Sequence, residues 1–282
     1  EDTEVSGGAR YQVLERGLRD LARREPTFAL HVHVGVPVPE LAIVAFDRIR
    51  AHLPLFLALS ANSPFWRGRD SGMASFRTPL FQAFPRAGIP RRFGSYEAYV
   101  ETIDSLLRAD AFPEPTFIWW DVRLQPRLGT IEVRIADAQT TVGEVAAVAA
   151  LIQSLVRLEA TEPLADELLL DAPEVLAENR FLASRDGMAA RLIDPVEEER
   201  VPVERSLAAL LERARSHARE LDCGAELSAV SELARRPGAT RQRAIAGELG
   251  LPAMVAELGS LFLSVPSTPP TEPRRPPSLR AG

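Results

Sequence analysis

Residues 117–139, FIWWDVRLQPRLGTIEVRIADAQ, constrain this chain more than any other stretch. They read as two β-strands folded back on each other and sorted into one greasy face and one charged face, because successive side chains of a strand alternate. In the first strand Ile118, Trp120, Val122 and Leu124 fall on one side and Trp119, Asp121 and Arg123 on the other. In the second, Ile131, Val133 and Ile135 alternate with Glu132 and Arg134. Residues 125–129 between them have hairpin length, with Pro126 and Gly129 where a turn uses them. Carboxylates and guanidinia therefore share one surface. A merely solvated strand would carry Thr, Ser, Lys or Gln there, whereas acid and Arg beside a Trp make the inventory of a site that handles anions and metal.

A third strand is available upstream. In TFALHVHVGV, Phe28, Leu30, Val32, Val34 and Val36 fall on one side, and Thr27, Ala29, His31, His33 and Gly35 on the other. Two imidazoles thus join the polar face, and Gly35 would let a ligand or neighbouring backbone come close. Around the strands the periodicity is helical. A helix is expected over 11–24 on the spacing of Leu14, Leu18 and Leu21, and another over 39–59, opened by Pro39, kinked or broken at Pro54 and covering the greasy side of the sheet. Further helices are expected over 95–107 with Ser95 as cap, from Thr140 with a small-residue face, over 171–186 ending at Gly187, over 202–221, and as two or three short pieces up to Leu263. The Pro-rich end, 265–282, predicts a disordered tail after a single domain, 1–264.

Two Arg-rich stretches interrupt this order. SPFWRGRDSGMASFRT carries Arg67, Arg69, Arg77, Asp70, Gly68 and Gly72; it is too rich in Gly and charge for core and too dense in Arg for an arbitrary connector, so it reads as an anion-binding loop. ARRPGATRQRAIA, with Arg235, Arg236, Arg241 and Arg243, reads as a helix-end or subunit contact, with nucleotide contact as its alternative.

Composition excludes several chemistries. All 33 basic side chains are Arg, with no Lys anywhere, which rules out a Schiff-base lysine and a P-loop. An anion must then be met by Arg, backbone N–H groups or metal, and the planar guanidinium suits carboxylate or phosphate. The net charge of −6 gives no basic footprint for nucleic acid. The single cysteine, Cys223, gives neither a disulfide framework nor a thiolate metal site, which points to a reducing, cytoplasmic setting. No apolar run reaches membrane-spanning length, so no membrane partner is expected, and EDTEVSGGAR lacks the order of a signal peptide.

Taken in order, HVHVGV, LALSANSPFWRGRDSGMASFRT, WWDVRLQPRLGTIEVRIADAQT and AENRFLASRDG resemble the carboxylate-amine ligase branch of the bacterial glutamate–cysteine ligase family, from about residue 10 to about residue 263. The resemblance implies an α+β fold of glutamine-synthetase type, a curved antiparallel sheet around a nucleotide and metal site with helices packed on its outer face. It implies ATP and Mg²⁺ as cofactors, an amino-acid carboxylate and an amine as small-molecule substrates, typically glutamate and cysteine, and self-association as a homodimer. Family members carry an additional N-terminal region whose first strand supplies glutamate metal ligands. The pattern here starts after it, so those ligands are expected from preceding sequence or from a partner chain, and the sheet is expected to have an open edge.

Within that resemblance Glu132 is the best Mg²⁺ ligand, since Mg²⁺ takes oxygen donors. His31 and His33 would bind a phosphate oxygen or order a metal-bound water. Arg134 and Arg123, beside Asp121, would hold the substrate carboxylate or a phosphate, Arg67, Arg69 and Arg77 would close over the transferring phosphoryl, and Arg180 and Arg185 would serve the substrate end. Blander readings stand beside these: a cross-strand ion pair for Glu132 and Arg134, a satisfied histidine pair, a solvated loop, and core roles for Trp119 and Trp120. Three functions remain open: an ATP-dependent ligase working through an acyl phosphate, a truncated or degenerate relative that binds nucleotide or amino acid without turnover, and a metal hydrolase built on the His-Val-His pair with Asp121 or Glu132 as third ligand.

Overall fold

The computed structural model describes residues 8–24 and 27–263, and the expected tail at 265–282 lies outside them. The expected first helix is two, α1 (Ala9–Leu18) and α2 (Leu21–Arg24), because Arg19 between them takes the left-handed conformation at φ 52° and ends the first. Strand β1 (Val32–Gly35) follows. The expected long helix is likewise divided, into α3 (Pro39–Ile49), a single 3₁₀ turn (Arg50–His52) and α4 (Leu53–Ser60). Pro54 causes this: lacking an N–H, it fits the first turn of a new helix but not the interior of an old one.

A small hairpin, β2 (Phe65–Trp66) and β3 (Arg69–Asp70), leads to α5 (Arg77–Gln82), strand β4 (Ala87–Gly88) and α6 (Tyr96–Arg108). Ser95 caps α6 by accepting the N–H of Ala98, as expected.

The organising stretch then departs from expectation in one respect. Its first strand is broken into β5 (Trp119–Trp120), which pairs in parallel with β4, and β6 (Val122–Gln125), which pairs antiparallel with β7 (Thr130–Val133). Asp121 is the changeover residue: its N–H donates to Gly88 and its carbonyl accepts the N–H of Arg134. Gln125 belongs to the strand, opposite Thr130, so the turn is 126–129 with Gly129 at φ 61°.

The central sheet has the order β1-β7-β6, all antiparallel, so the histidine strand does lie beside the hairpin. Its apolar rows, Val32–Val133–Val122 and Val34–Ile131–Leu124, face α3 and α7 (Val142–Thr161). A capping box between Thr141 and Glu144 starts α7, and Ala147 and Ala150 on it are fully buried, which permits close helix approach. Because α7 is apolar nearly all round, a further layer covers its far side.

After α8 (Glu167–Leu170), α9 (Pro173–Asp186) ends at Gly187 and packs on α4. Strands β8 (Arg191–Asp194) and β9 (Glu199–Pro202) form a hairpin before α10 (Val203–Glu220) and α11 (Gly224–Arg235), the two helices of that outer layer. The chain continues through α12 (Gly238–Leu249) and α13 (Leu251–Leu263). The architecture is mixed helix and strand, with α3 and α7 on the sheet's apolar face. No helix of the described residues is long and apolar enough to cross a membrane.

Candidate functional site

The register assembles the polar face. His33 lies opposite Glu132, and Glu132 opposite Arg123, giving a row across three strands. One step along, Arg134 stands level with Asp121 through the Arg134 N–H to Asp121 carbonyl bond of 2.7 Å, and its Nη1 lies 3.2 Å from His31 Nδ1. Side chains opposite one another on one face are in contact range, so the two rows form a single cluster.

Glu132 is its centre and is 2% exposed. Oε2 accepts from Arg123 Nε and Gln125 Nε2, both at 2.7 Å, and Oε1 from Arg134 Nη1 at 2.5 Å. His31 Nδ1 and His33 Nε2 lie 3.3 and 3.7 Å from Oε1. Burial alone would raise the Glu132 pKa, but the hydrogen bonds from Arg123 and Gln125 and the charges of Arg134 and Arg123 outweigh it and hold it at about 2. His31 is lowered to about 4, first by burial and then by Arg134, so at neutral pH its imidazole is uncharged. Arg123 also donates to the carbonyls of Thr116 and Ile118, at 2.8 and 2.7 Å, which fixes its fork in place.

A second buried layer adjoins. Arg180 of α9 clasps Asp121 through Nε at 2.5 Å and reaches Gln82 at 2.8 Å. Arg77, expected to close over a ligand with Arg67 and Arg69, is instead 8% exposed at the start of α5 and donates to the carbonyls of Ile135 and Arg134, both at 3.1 Å. Its carboxylate neighbour is Asp137 at 3.7 Å. Asp137 is enclosed and accepts from the Asn62 N–H (2.8 Å), Ser63 Oγ (2.8 Å) and Ser75 Oγ (3.0 Å). Burial pushes its carboxyl upward against the pull of Arg77 and these donors. Four guanidinia (Arg77, Arg123, Arg134, Arg180) thus meet three carboxylates (Asp121, Glu132, Asp137), and with His31 neutral the surface carries residual positive charge.

The donor set does not fit a Mg²⁺ ion held by these residues alone. Among the described residues no group of three or more His, Cys, Asp or Glu is placed to hold a metal ion, and Arg134 Nη1 lies against both Glu132 Oε1 (2.5 Å) and His31 Nδ1 (3.2 Å), so a cation on those two atoms would meet a guanidinium. Glu132, expected as the metal ligand, is here the counter-ion of two arginines. The hydrolase reading weakens for the same reason, since Asp121 and Glu132, its two candidates for a third ligand, are both bound to guanidinia.

Arg67 and Arg69 stand apart from the strand cluster, exposed on the β2–β3 hairpin. Arg67 at φ 48° and Gly68 at φ 76° are the two turn residues, both in the positive-φ region that primed hairpin turns require. The Arg67 guanidinium lies 5.7 Å from the centre of the Trp66 ring. Arg185, expected at the substrate end, is exposed at the end of α9 and bound to its neighbour Asp186 at 2.6 Å, so the structure does not bring it to the cluster. Two participants escaped the sequence reading. Gln125, expected in the turn, continues the parity of Asp121 and Arg123. Asp137 follows the apolar Ile135 and Ala136 and gave no signal beyond being a charged residue at the end of a core strand.

The sequence pattern of glutamate-cysteine ligase family 2 matches residues 1–248. A protein of Rubrobacter xylanophilus provisionally named glutamate–cysteine ligase 2-3 is 42% identical over 247 residues, covering 87% of this chain and 66% of its own length. Proteins provisionally named glutamate–cysteine ligase 2 from Gloeobacter violaceus and Thermobifida fusca are 42% and 40% identical, over 84% and 89% of this chain and 64% and 63% of theirs. The chain therefore spans just under two thirds of the length of these relatives.

Proposed function

The chain belongs to glutamate-cysteine ligase family 2, and from that membership we propose that it carries the anion-binding face of an ATP-dependent carboxylate–amine ligase acting on glutamate and an amine such as cysteine. The observation that carries this reading is the excess of guanidinium over carboxylate, four to three, across the sheet face and the buried layer that adjoins it, beside a neutral His31.

A carboxylate is a poor electrophile, so the reaction first moves the γ-phosphoryl of ATP onto a carboxylate oxygen, releasing ADP. The amine nitrogen then attacks the acyl carbon, phosphate leaves with the carbon–oxygen bonding pair, and the nitrogen gives up a proton as the amide forms. Both steps gather negative charge on phosphoryl oxygens, and their catalysis is chiefly positioning and charge neutralisation. Arg123 and Arg134, both bound to Glu132 and Arg123 also to backbone carbonyls, supply a cationic floor that needs no rearrangement. Neutral His31 offers a ring nitrogen at its edge, with His33 beside it. Arg67 and Arg69, outside the buried pairs, supply solvent-exposed charge. Arg180 and Asp121 hold the strand changeover that sets Arg134 at its height. No step is derived through Mg²⁺, because the described residues do not form its site.

A second reading, binding of nucleotide or amino acid without turnover, draws on the Arg134 guanidinium lying against both His31 and Glu132. Phosphate release from ATP, measured with glutamate and a panel of amines on this chain and on the complete gene product, separates the two. Amine-dependent release supports the ligase. Nucleotide binding without release in either protein supports the binding relative, and no binding at all overturns both.

A further inference from the structure

The β2–β3 hairpin is two residues deep on each side, too short to hold its own position. What holds it is α12. At the hairpin's base the Ala239 N–H donates to the Ala61 carbonyl at 3.1 Å, and Gln242 Nε2 donates to the Asn62 carbonyl and Oδ1 at 2.7 and 2.8 Å. Where the second strand leaves the hairpin, opposite Phe65, Arg243 forks onto Asp70, Nε to Oδ2 and Nη2 to Oδ1, both at 2.8 Å, and Nη2 also donates to the Met73 carbonyl at 2.9 Å. Asp70 closes the loop from its own side by accepting the Gly72 N–H at 2.9 Å. The base is tied in turn to the strand cluster, since the Asn62 N–H and Ser63 Oγ bind Asp137, three residues beyond Arg134.

The fit at the base is tight. A Cβ on Gly238 would lie 2.1 Å from Asn62 Oδ1, and that side chain cannot simply swing away, because its Nδ2 donates to the Ala138 carbonyl at 2.8 Å. The contact of Arg243 with Asp70 is strong enough to hold the Asp70 carboxyl at about 2. The Arg-rich stretch of α12 is thus a brace behind the hairpin.

We propose that Arg243, acting through Asp70, is a positioning residue for the ligase reaction: it fixes the β2–β3 hairpin from α12, so that Arg67 and Arg69 are presented at one place relative to the strand cluster. The proposal rests on the ligase reading for its catalytic half and on geometry alone for the clamp.

Trypsin tests the clamp, since in a chain without Lys it cuts only after Arg, and Arg67 and Arg69 are exposed. In the complete gene product, Arg243→Met and Asp70→Asn should each speed cutting at residues 67 and 69 about tenfold, as a locally opened segment does, with the global unfolding midpoint unchanged. Amine-dependent phosphate release should fall about tenfold or more in kcat, the usual scale for a displaced charged group, and Arg243→Lys, which keeps the charge but not the fork, should recover part of it. Cutting at the unaltered rate in Arg243→Met overturns the proposal whatever the activity. Faster cutting with unaltered kcat overturns the positioning role. If the unsubstituted protein itself shows no amine-dependent release, the ligase reading has failed and takes the catalytic half with it, while faster cutting still shows the clamp.

Discussion

Arginines of the sheet face and arginines of the hairpin do different things with the same side chain. Arg77, Arg123, Arg134 and Arg180 are each 8% exposed, and each lies within 4 Å of a carboxylate. Arg67 and Arg69 are exposed, and among the described residues neither pairs with a carboxylate. A guanidinium buried beside its counter-ion is fixed before any ligand arrives and can offer only the charge left over from its pairing. An exposed one offers its whole charge, screened by solvent, and depends on its backbone for direction. The inner set therefore shapes the floor, and the outer set offers solvent-exposed charge from a clamped hairpin. It follows that inner substitutions should register mainly in stability and outer ones mainly in turnover.

The largest effect should come from Glu132→Gln. It preserves shape but strips the counter-charge from Arg123 and Arg134 together, and breaking a buried pair from one side costs about 3 to 5 kcal/mol, measurable by urea unfolding. A loss under about 1 kcal/mol would mean that solvent already balances these guanidinia, and the contrast between inner and outer sets would collapse. Gly238→Ala should come next. Its methyl group would sit 2.1 Å from Asn62 Oδ1, and overpacking of this kind costs about 1 to 3 kcal/mol. The same substitution should loosen the hairpin base, so the tryptic sites at Arg67 and Arg69 should open in Gly238→Ala as well. Protection there at the unaltered level would show that α12 docks independently of the hairpin.

Much of the inner set could be read from the chain, and the reason is parity. A strand's period of two puts Asp121, Arg123, Glu132, Arg134, His31 and His33 on one face with no knowledge of tertiary contacts, and the apolar residues between them dictate which face is buried. Parity could not show that Asp121 changes partners, because that depends on Ala87 and Gly88, 34 and 33 residues earlier, supplying a parallel edge. Nor could it show that Glu132 would be claimed by arginines, since a carboxylate facing metal and one facing guanidinium look alike in sequence. Nor could it separate Arg77 from Arg67 and Arg69, since Arg77 ends an Arg-rich loop in sequence but begins a helix in space. The brace by α12 joins residues more than 170 positions apart, Asp70 and Arg243, and local pattern carries no trace of such a pairing.

A smaller effect concerns pH. His31 titrates at about 4 in the folded chain against 6.5 ordinarily, so between those values the unfolded chain binds more protons. Stability should therefore rise with pH across that window and decline as pH falls from 6.5 toward 4. The Glu132 contribution is lost lower, as pH falls from about 4.5 through about 2. Imidazole NMR should show His31 neutral down to about pH 4, and Arg134→Met should move its midpoint part of the way back, burial being the larger cause. A His31 midpoint near 6.5 in the unsubstituted protein would mean that water and counter-ions reach the inner cluster freely.

The smallest effect on stability, and the most informative for the comparison, should be that of Arg67→Ala combined with Arg69→Ala. Exposed side chains without carboxylate partners among the described residues should change the unfolding free energy by no more than about 0.5 kcal/mol. Yet if they neutralise the transferring phosphoryl, amine-dependent phosphate release by the complete gene product should fall about a hundredfold, the scale of losing a preorganised donor from a transition state. Because these charges are exposed, that contribution should also weaken with salt in the unsubstituted protein, whereas the stability cost of Glu132→Gln should change little between low and high salt. Equal salt sensitivity in the two measurements would place both sets of arginines in the same solvent. The distinction between a buried, paired floor and a solvent-exposed cover would then have to be abandoned.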